Sequence, residues 1–265
     1  MGLHAIFQAA RRDHRALFLP YFCVGYPNLA SSIAFADAAL NAGAAGLELG
    51  VPFSDPIADG PTLQKATQFA LDHGTKFTDV FKVIRALRAK GHRQPLLVMT
   101  YLNPIEQMGW EAFTGEVAAS GAQGVLVPDL PLEESAGANR LMRSRGLSLI
   151  PFLAPTSSRH RRKKIDALGA PFLYYVSLTG VTGARRKLSN RLGPALRDLR
   201  RTMRTPVTVG FGISTPDQAA QVGRDAEGVI IGSAFLKLID RTAPSRRPVV
   251  IGRFCQSVVK RLGKT

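Results

Sequence analysis

Short apolar runs alternate with amphipathic stretches along the whole chain of 265 residues. Most of the runs are continuous in Val, Leu, Ile and Phe, which is typical of strands that a parallel sheet buries on both faces. The stretches between them place apolar residues at helical spacing, as Val80, Val83, Ile84 and Leu87 do. The predicted strands are residues 16–24, 45–51, 95–101, 124–130, 147–154, 172–178, 206–213 and 227–232.

The number and order of these elements predict an α/β fold, a single (β/α)8 TIM barrel, because eight parallel strands each followed by a helix close into a barrel. The alternative is an open, doubly wound sheet, which would carry a glycine-rich loop after an early strand. Here the glycines cluster late. Leu3, Ile6, Phe7 and Ala10 predict an extra N-terminal helix that caps the barrel bottom. The chain contains no composition shift typical of a linker, so one domain is expected to span residues 1–265.

Composition narrows the class of protein. A hydrophobic fraction of 45% excludes a disordered chain. No apolar run is long enough for a transmembrane helix, and the N-terminus lacks the pattern of a signal peptide, so we expect a cytoplasmic protein without membrane contact. Cys23 and Cys255 are far apart and match no metal spacing, so no metal site is expected and both thiols should be reduced.

The net charge of +16 is confined to one part of the chain. Residues 1–150 contain 13 basic and 13 acidic side chains, whereas residues 151–265 contain 22 basic and 6 acidic ones. Such a field favours anionic small molecules, acidic proteins or nucleic acid. Nucleic acid is the unlikely partner, since no helix-turn-helix, zinc-finger or RNP pattern accompanies the charge. The simplest interpretation is a solvated basic outer face.

Two carboxylates are candidate catalytic residues, because the active site of a TIM barrel lies at the carboxyl ends of its strands. Glu48 interrupts the apolar second strand, where burial would raise its pKa and suit it to general acid or base catalysis. Asp59 lies on the loop that follows, and two carboxylates in different surroundings can divide acid and base roles. The alternatives are a structural Glu48 bonded to a neighbour and a solvated turn Asp59.

The late glycines indicate a phosphate site. Gly183, Gly212 and the pair Gly232-Ser233 follow the sixth, seventh and eighth predicted strands. Backbone amides and a short helix N-terminus in this part of a barrel can bind phosphate without a lysine, and glycine permits the close approach.

Residues 47–61, LELGVPFSDPIADGP, closely resemble the signature of the tryptophan synthase alpha chain family. Further motifs of that family occur in the same order at residues 127–131, 180–185, 210–214 and 232–235. The resemblance therefore covers essentially the whole chain.

The resemblance implies a lyase that cleaves indole-3-glycerol phosphate to indole and glyceraldehyde 3-phosphate. It implies Glu48 and Asp59 as the catalytic pair, and phosphate binding at Gly183, Gly212, Gly232 and Ser233. Residues 179–189 would form a loop that closes over substrate, from which Thr182 would orient Asp59. The implied apolar pocket for indole consists of Tyr21, Met99, Tyr101, Leu126, Phe152, Tyr174 and Phe211.

The resemblance also implies a partner. The chain would join a beta chain in an α2β2 heterotetramer, with contacts near Pro52, Asp55, Asn103 and Pro131, and hand indole over for tryptophan biosynthesis. It would hold no cofactor itself, since pyridoxal phosphate would belong to the beta chain. Three alternatives remain at this point: a stand-alone lyase, a subunit that mainly activates the beta chain, and a barrel that binds nucleic acid.

Overall fold

The strands of the barrel are all parallel, as the apolar runs predict. The structure is a computed structural model that describes residues 2–176 and 190–263. Several strands are shorter than their apolar runs because prolines such as Pro52 and Pro128, which cannot donate a ladder hydrogen bond, follow closely. The strands are β1 (Leu17–Cys23), β2 (Leu47–Gly50), β3 (Leu96–Met99), β4 (Gly124–Leu126), β5 (Ser148–Ile150), β6 (Phe152–Leu153), β7 (Leu173–Tyr175), β8 (Val207–Val209) and β9 (Gly228–Ile231).

The sheet closes through a strand that is broken in the middle. The strand order is β5-β4-β3-β2-β1-β9-β8-β7-β6, so its two ends, β5 and β6, are consecutive segments on either side of Pro151. Pro151 has no N–H to donate, but its carbonyl oxygen accepts from the backbone N–H of Tyr174 at 2.8 Å. The two segments therefore form the fifth of eight barrel strands. The predicted TIM barrel is confirmed, and the open doubly wound sheet is excluded.

Helices surround the barrel, and most lie between consecutive strands. Two helices, rather than one, follow each of β2, β3 and β9. The helices are α1 (Leu3–Arg12), α2 (Leu29–Asn41), α3 (Pro61–Asp72), α4 (Asp79–Ala89), α5 (Leu102–Met108), α6 (Trp110–Ser120), α7 (Ser135–Ser144), α8 (Arg159–Ala167), α9 (Leu192–Thr202), α10 (Pro216–Gly223), α11 (Ser233–Arg241) and α12 (Arg247–Leu262).

Helix α1 covers the amino-terminal end of the barrel. Phe7 is fully buried and stacks on Phe172, with 4.4 Å between ring centroids. Phe172 directly precedes β7, and Phe7 also packs against Gly228, the first residue of β9. Apolar side chains of α1 thus fill the opening, which confirms the predicted cap.

The structure bears on the predictions about the cysteines, membrane-spanning helices and metal sites. Cys23 and Cys255 are buried and unbonded to each other. Within residues 2–176 and 190–263, no helix is long and apolar enough to cross a membrane, and no His, Cys, Asp and Glu side chains group to hold a metal ion.

Candidate active site

The carboxyl ends of the strands surround a cleft of about 590 Å³, part of it open to solvent. Eight predicted site residues meet there: Tyr21, Glu48, Asp59, Tyr174, Phe211, Gly212, Gly232 and Ser233. Met99 of the predicted indole pocket lines the same cleft.

Glu48 is a buried acid with no counter-charge beside it in the part of the chain that the structure describes. It lies on β2 beside Tyr21 of β1 and Leu97 of β3 in the strand register. Its exposed fraction is 2%, and its Oε2 atom has no hydrogen-bond partner among residues 2–176 and 190–263. Burial, and secondly the charge of Asp59, raise the pKa of Glu48 to about 8. The carboxyl group is therefore protonated near neutral pH and can donate a proton.

Asp59 is held in place by the loop after β2. Burial raises the pKa of Asp59 to about 6, while a hydrogen bond from Tyr101 opposes the rise. The Tyr101 hydroxyl also accepts from the Ala58 N–H at 3.2 Å, and Gln64 Nε2 donates to the Asp59 carbonyl at 2.9 Å. Asp59 is therefore mostly ionised at neutral pH, beside a protonated Glu48. The different surroundings therefore give the two carboxyl groups different pKa values, as an acid–base pair requires.

Two glycines make room for two tyrosine side chains in the cleft. A Cβ atom at Gly50 would lie 2.1 Å from the Tyr21 hydroxyl oxygen, and one at Gly210 would lie 1.7 Å from that of Tyr174. Any side chain at either position would force a tyrosine to move. In the sequence, both glycines belong to motifs of the family, but neither was predicted as a site residue. Their signal was available, since each is a glycine at the carboxyl end of a barrel strand.

Aromatic side chains extend the cleft wall around Tyr174. Its ring centroid lies 5.0 Å from that of Phe152 and 5.7 Å from that of Phe211. Phe152 supports Tyr174 from outside the set of residues that line the cleft. Among the described residues, Leu126 and Tyr101 do not line the cleft either. Leu126 is buried in β4 beside Met99, and Tyr101 contacts Asp59.

A second part of the cleft, beyond β1 from Glu48, contains the N-terminus of a helix. Gly232 is the N-cap of α11 and Ser233 is its first residue. The first N–H groups of a helix lack partners within it and carry the positive end of its dipole. Gly212 adopts a φ of +78°, a conformation that favours glycine. Thr182, Gly183 and the predicted closing loop at 179–189 lie outside the described residues.

Sequence reasoning missed several residues that line the cleft. Ile230 lies two positions before Gly232, on the same face of β9, so strand alternation would have found it. The others lie within four positions after Asp59 or Gly212 along the chain and are Gly60, Thr62, Leu63 and Ile213.

Comparison with known proteins agrees with this geometry. A sequence profile described as "Tryptophan synthase alpha chain" matches residues 7–260. The chain belongs to this family. The tryptophan synthase alpha chain of Chloroflexus aggregans is 44% identical over 241 residues, 91% of this chain and 90% of that protein. That of Geobacillus kaustophilus is 45% identical over 228 residues, 86% and 85% of the two chains.

Solved structures of the tryptophan synthase alpha chain family share the fold. The alpha chain from Legionella pneumophila superposes with a TM-score of 0.89 at 31% identity, covering 100% of this chain and 98% of that one. A structure of Mycobacterium tuberculosis tryptophan synthase gives a TM-score of 0.88 at 31% identity, covering 98% and 97%. Membership of the tryptophan synthase alpha chain family confirms the predicted enzyme class, a lyase of tryptophan biosynthesis that cleaves indole-3-glycerol phosphate.

Proposed function

We propose that the cleft at Glu48 and Asp59 is where this chain cleaves indole-3-glycerol phosphate into indole and glyceraldehyde 3-phosphate. The observation that carries the proposal is the buried Glu48 carboxyl group, which has an unpartnered oxygen and a pKa raised to about 8. A buried acid without a partner lowers the stability of the fold, and such groups are concentrated at functional sites. Glu48 also lies near a second carboxyl group, that of Asp59, whose pKa is lower.

The reaction needs one proton to be given and one to be taken back. Glu48 donates its proton to C3 of the indole ring, and the positive charge that develops on the ring nitrogen is stabilised by the ionised Asp59. The bond between C3 and the adjacent chain carbon then breaks, and its electron pair returns to the ring. The hydroxyl on that carbon loses its proton to Glu48 and becomes the aldehyde carbonyl. Glu48 ends the cycle protonated.

The phosphate is assigned to the amide-lined end of the cleft. Gly212, Gly232 and Ser233 would surround it at the N-terminus of α11, where backbone N–H groups favour an anion. Gly183 belongs to the same assignment. Closure of residues 179–189, with Thr182 orienting Asp59, would exclude water during the reaction.

A beta chain is the proposed partner. Asp55, Asn103 and Pro131 are exposed at the end of the barrel where the cleft opens, and Ile57 is 77% exposed beside them. An exposed large apolar residue next to these positions supports a protein contact there. In this proposal the single-domain alpha chain forms an α2β2 heterotetramer in the cytoplasm. It holds no cofactor, and indole passes to a beta chain that contains pyridoxal phosphate.

The deciding experiment is cleavage of indole-3-glycerol phosphate by the purified chain, measured with and without a beta chain from the same organism. Equal amounts of indole and glyceraldehyde 3-phosphate are expected, with faster cleavage when the beta chain is present. No cleavage under either condition would contradict the assignment. Free indole released at the same rate in both would favour the stand-alone lyase.

A further inference from the structure

Three polar groups at the wall of the cleft have no hydrogen bond within the described residues. They are the Oε2 atom of Glu48 and the hydroxyl groups of Tyr21 and Tyr174. All three residues are buried, with exposed fractions between 2% and 5%. Buried polar groups are nearly always hydrogen-bonded, because an unpaired one costs free energy. Only the Glu48 Oε2 atom is itself buried in this way, whereas the hydroxyl groups of Tyr21 and Tyr174 face the cleft. A molecule bound in the cleft can supply a partner to all three groups.

Tyr21 connects the two ends of the cleft. Its strand β1 lies between β2 and β9, and its Cα pairs with that of Glu48. Its ring lies 3.1 Å from the position that a Cβ at Gly232 would occupy, and its hydroxyl oxygen lies 2.1 Å from the Cβ position of Gly50. The side chain therefore spans from the proposed phosphate end to the strand that carries Glu48.

The Tyr21 hydroxyl is available as a donor. Burial, and secondarily the charge of Asp59, raise the pKa of Tyr21 well above its ordinary value. The phenol therefore keeps its proton. The Tyr21 hydroxyl does not donate this proton to the thiol of Cys23, because the Cys23 Sγ atom contacts Thr67 Oγ1 at 3.8 Å instead. The other free hydroxyl, that of Tyr174, enters the cleft from β7 beside Gly210.

The substrate's chain has matching groups. Between the indole ring and the phosphate-bearing carbon lie two hydroxyl-bearing carbons. The first is the carbon that becomes the aldehyde, and its hydroxyl gives its proton to Glu48. The second, middle hydroxyl lies on the path from Glu48 to Gly232, which is the path that Tyr21 spans.

We infer that Tyr21 determines specificity for the hydroxylated chain, by donating a hydrogen bond to the middle hydroxyl of the substrate. This inference rests on the proposed function, because it uses that substrate and its orientation. It also changes the part assigned to Tyr21, which the family resemblance places in an apolar indole pocket. Tyr21 presents a polar group at the middle of the cleft as well as an apolar ring.

The test compares two ligands and two variants. Tyr21→Phe removes one oxygen atom and keeps the ring that packs against Gly232. One ligand is indole-3-glycerol phosphate, and the other is indole-3-propanol phosphate, which has the ring and the phosphate but no chain hydroxyl. We expect the KM for the first to rise about 5- to 10-fold with little change in kcat, as for one lost neutral hydrogen bond that substrate and transition state share. The Kd of the second should not change.

The matched control is Tyr175→Phe. Tyr175 is the next residue after Tyr174, is equally buried, and does not line the cleft. Loss of its hydroxyl should leave both ligands unaffected. A complementary measurement uses the substrate analogue that lacks only the middle hydroxyl. The wild-type protein should bind it as weakly as Tyr21→Phe binds the substrate, and the variant should bind it no more weakly than the wild type does.

The outcomes separate this inference from the proposed function. If Tyr21→Phe weakens both ligands equally, the hydroxyl acts on the shape of the cleft and the inference is overturned. An unchanged KM for indole-3-glycerol phosphate, with wild-type cleavage intact, overturns the inference alone. A wild-type chain that does not cleave this substrate overturns the proposed function, and the inference with it.

Discussion

The two ends of the barrel each contain a buried glutamate, and their surroundings differ sharply. Glu48 lies at the carboxyl ends of the strands with an exposed fraction of 2%, and Glu227 at the amino ends with 1%. Glu227 Oε2 accepts from the Val207 N–H at 2.7 Å, and Arg200 Nε lies 3.1 Å from its Oε1 atom. Arg11 Nε lies 4.0 Å from the same atom. One oxygen of each carboxyl group lacks a hydrogen bond in the described residues, but only Glu227 has cations within 4.0 Å there.

The difference shows what separates a structural carboxylate from a reactive one. The charge of Glu227 is balanced, and the same Arg11 donates to the carbonyl oxygens of Arg200 and Met203, which ties α1 to the end of α9. Glu227 therefore holds elements together. Glu48 is left without compensation, so that burial favours its protonated form. The protonated Glu48 can therefore donate a proton in the cleft, where the lyase reaction requires a proton donor.

The largest expected effect is on catalysis, from Glu48→Gln. The amide is nearly isosteric but cannot donate the proton, so cleavage of indole-3-glycerol phosphate should fall by about 10²–10⁴-fold, the usual contribution of a general acid. Steady-state kinetics on the purified variant measures it, with circular dichroism to confirm the fold. Retention of more than about a tenth of the wild-type rate would remove Glu48 from the mechanism.

The second prediction concerns stability and pH in the same variant. The pKa of Glu48 is raised from 4.5 to about 8 in the folded state. Between these values the folded protein holds a proton that the unfolded chain releases, so stability falls as pH rises, and the loss is complete above pH 8. Glu48→Gln does not titrate. It should gain on the wild type from pH 4.5 upward and exceed it most above pH 8, with a ceiling of about 5 kcal/mol.

Urea unfolding of both proteins at pH 5, 7 and 9 measures this difference. A stability gap that is constant across the three pH values would contradict the buried, protonated state of Glu48. Glu227→Gln provides the contrast, because its expected loss of stability comes from leaving Arg11 and Arg200 without a counter-charge.

The third prediction is that Glu227→Gln destabilises the fold and spares the chemistry. Removing the carboxylate leaves Arg11 and Arg200 without a counter-charge. Breaking a fully buried pair costs about 3–5 kcal/mol, and we expect about 2 kcal/mol here, because both arginine side chains are about a quarter exposed. Denaturant unfolding measures the loss, and the cleavage rate should stay close to that of the wild type. A large fall in rate with unchanged stability would reverse the comparison.

The sequence predicts one of these two glutamates and not the other, for a physical reason. Glu48 interrupts an apolar strand and precedes a loop with a second acid, which are local signals. The role of Glu227 depends on Arg11, which is more than 200 positions away, and on how α1 docks. Likewise, the break at Pro151 and the steric need for Gly210 opposite Tyr174 arise only when strands become neighbours. Burial on both faces of a strand is visible in sequence, whereas side-chain partners across the barrel are not.

The fold was predictable because the strand pattern is strong and repeated, and the cap because Phe7 belongs to an apolar stripe. The charged surface was predictable only as a net excess. Of the basic run on α8, Arg161 pairs with Glu133 and Arg162 pairs with Asp198. Lys163 and Lys164 are exposed and form no ion pair with the residues that the structure describes. Sequence alone could not divide the run in this way, because the acidic partners lie on other elements.

The smallest expected effect is on association, from replacing Lys163 and Lys164 by Ser. These side chains neither line the cleft nor pair with Glu227, so cleavage by the isolated chain and folding stability should both stay unchanged. The Arg161–Glu133 pair places α8 beside Pro131, where the beta-chain contact is proposed. Exposed charges act on a partner as a field, screened within about 8 Å at physiological salt. With an acidic contact surface on the beta chain, the variant should associate more slowly at low salt and with a flatter salt dependence.

Replacing Arg253 and Lys260 by Ser is the matched control, since it removes the same charge from α12 at exposed positions that form no ion pair within the described residues. Helix α12 packs on α2 and α10, on another side of the barrel. Association rates at several salt concentrations should therefore fall more for the α8 variant than for the α12 variant. Equal falls would mean that only the net charge acts on the partner. Unchanged rates in both would assign the run to a solvated face, so that charge outside the barrel would matter neither to its catalytic end nor to its partner.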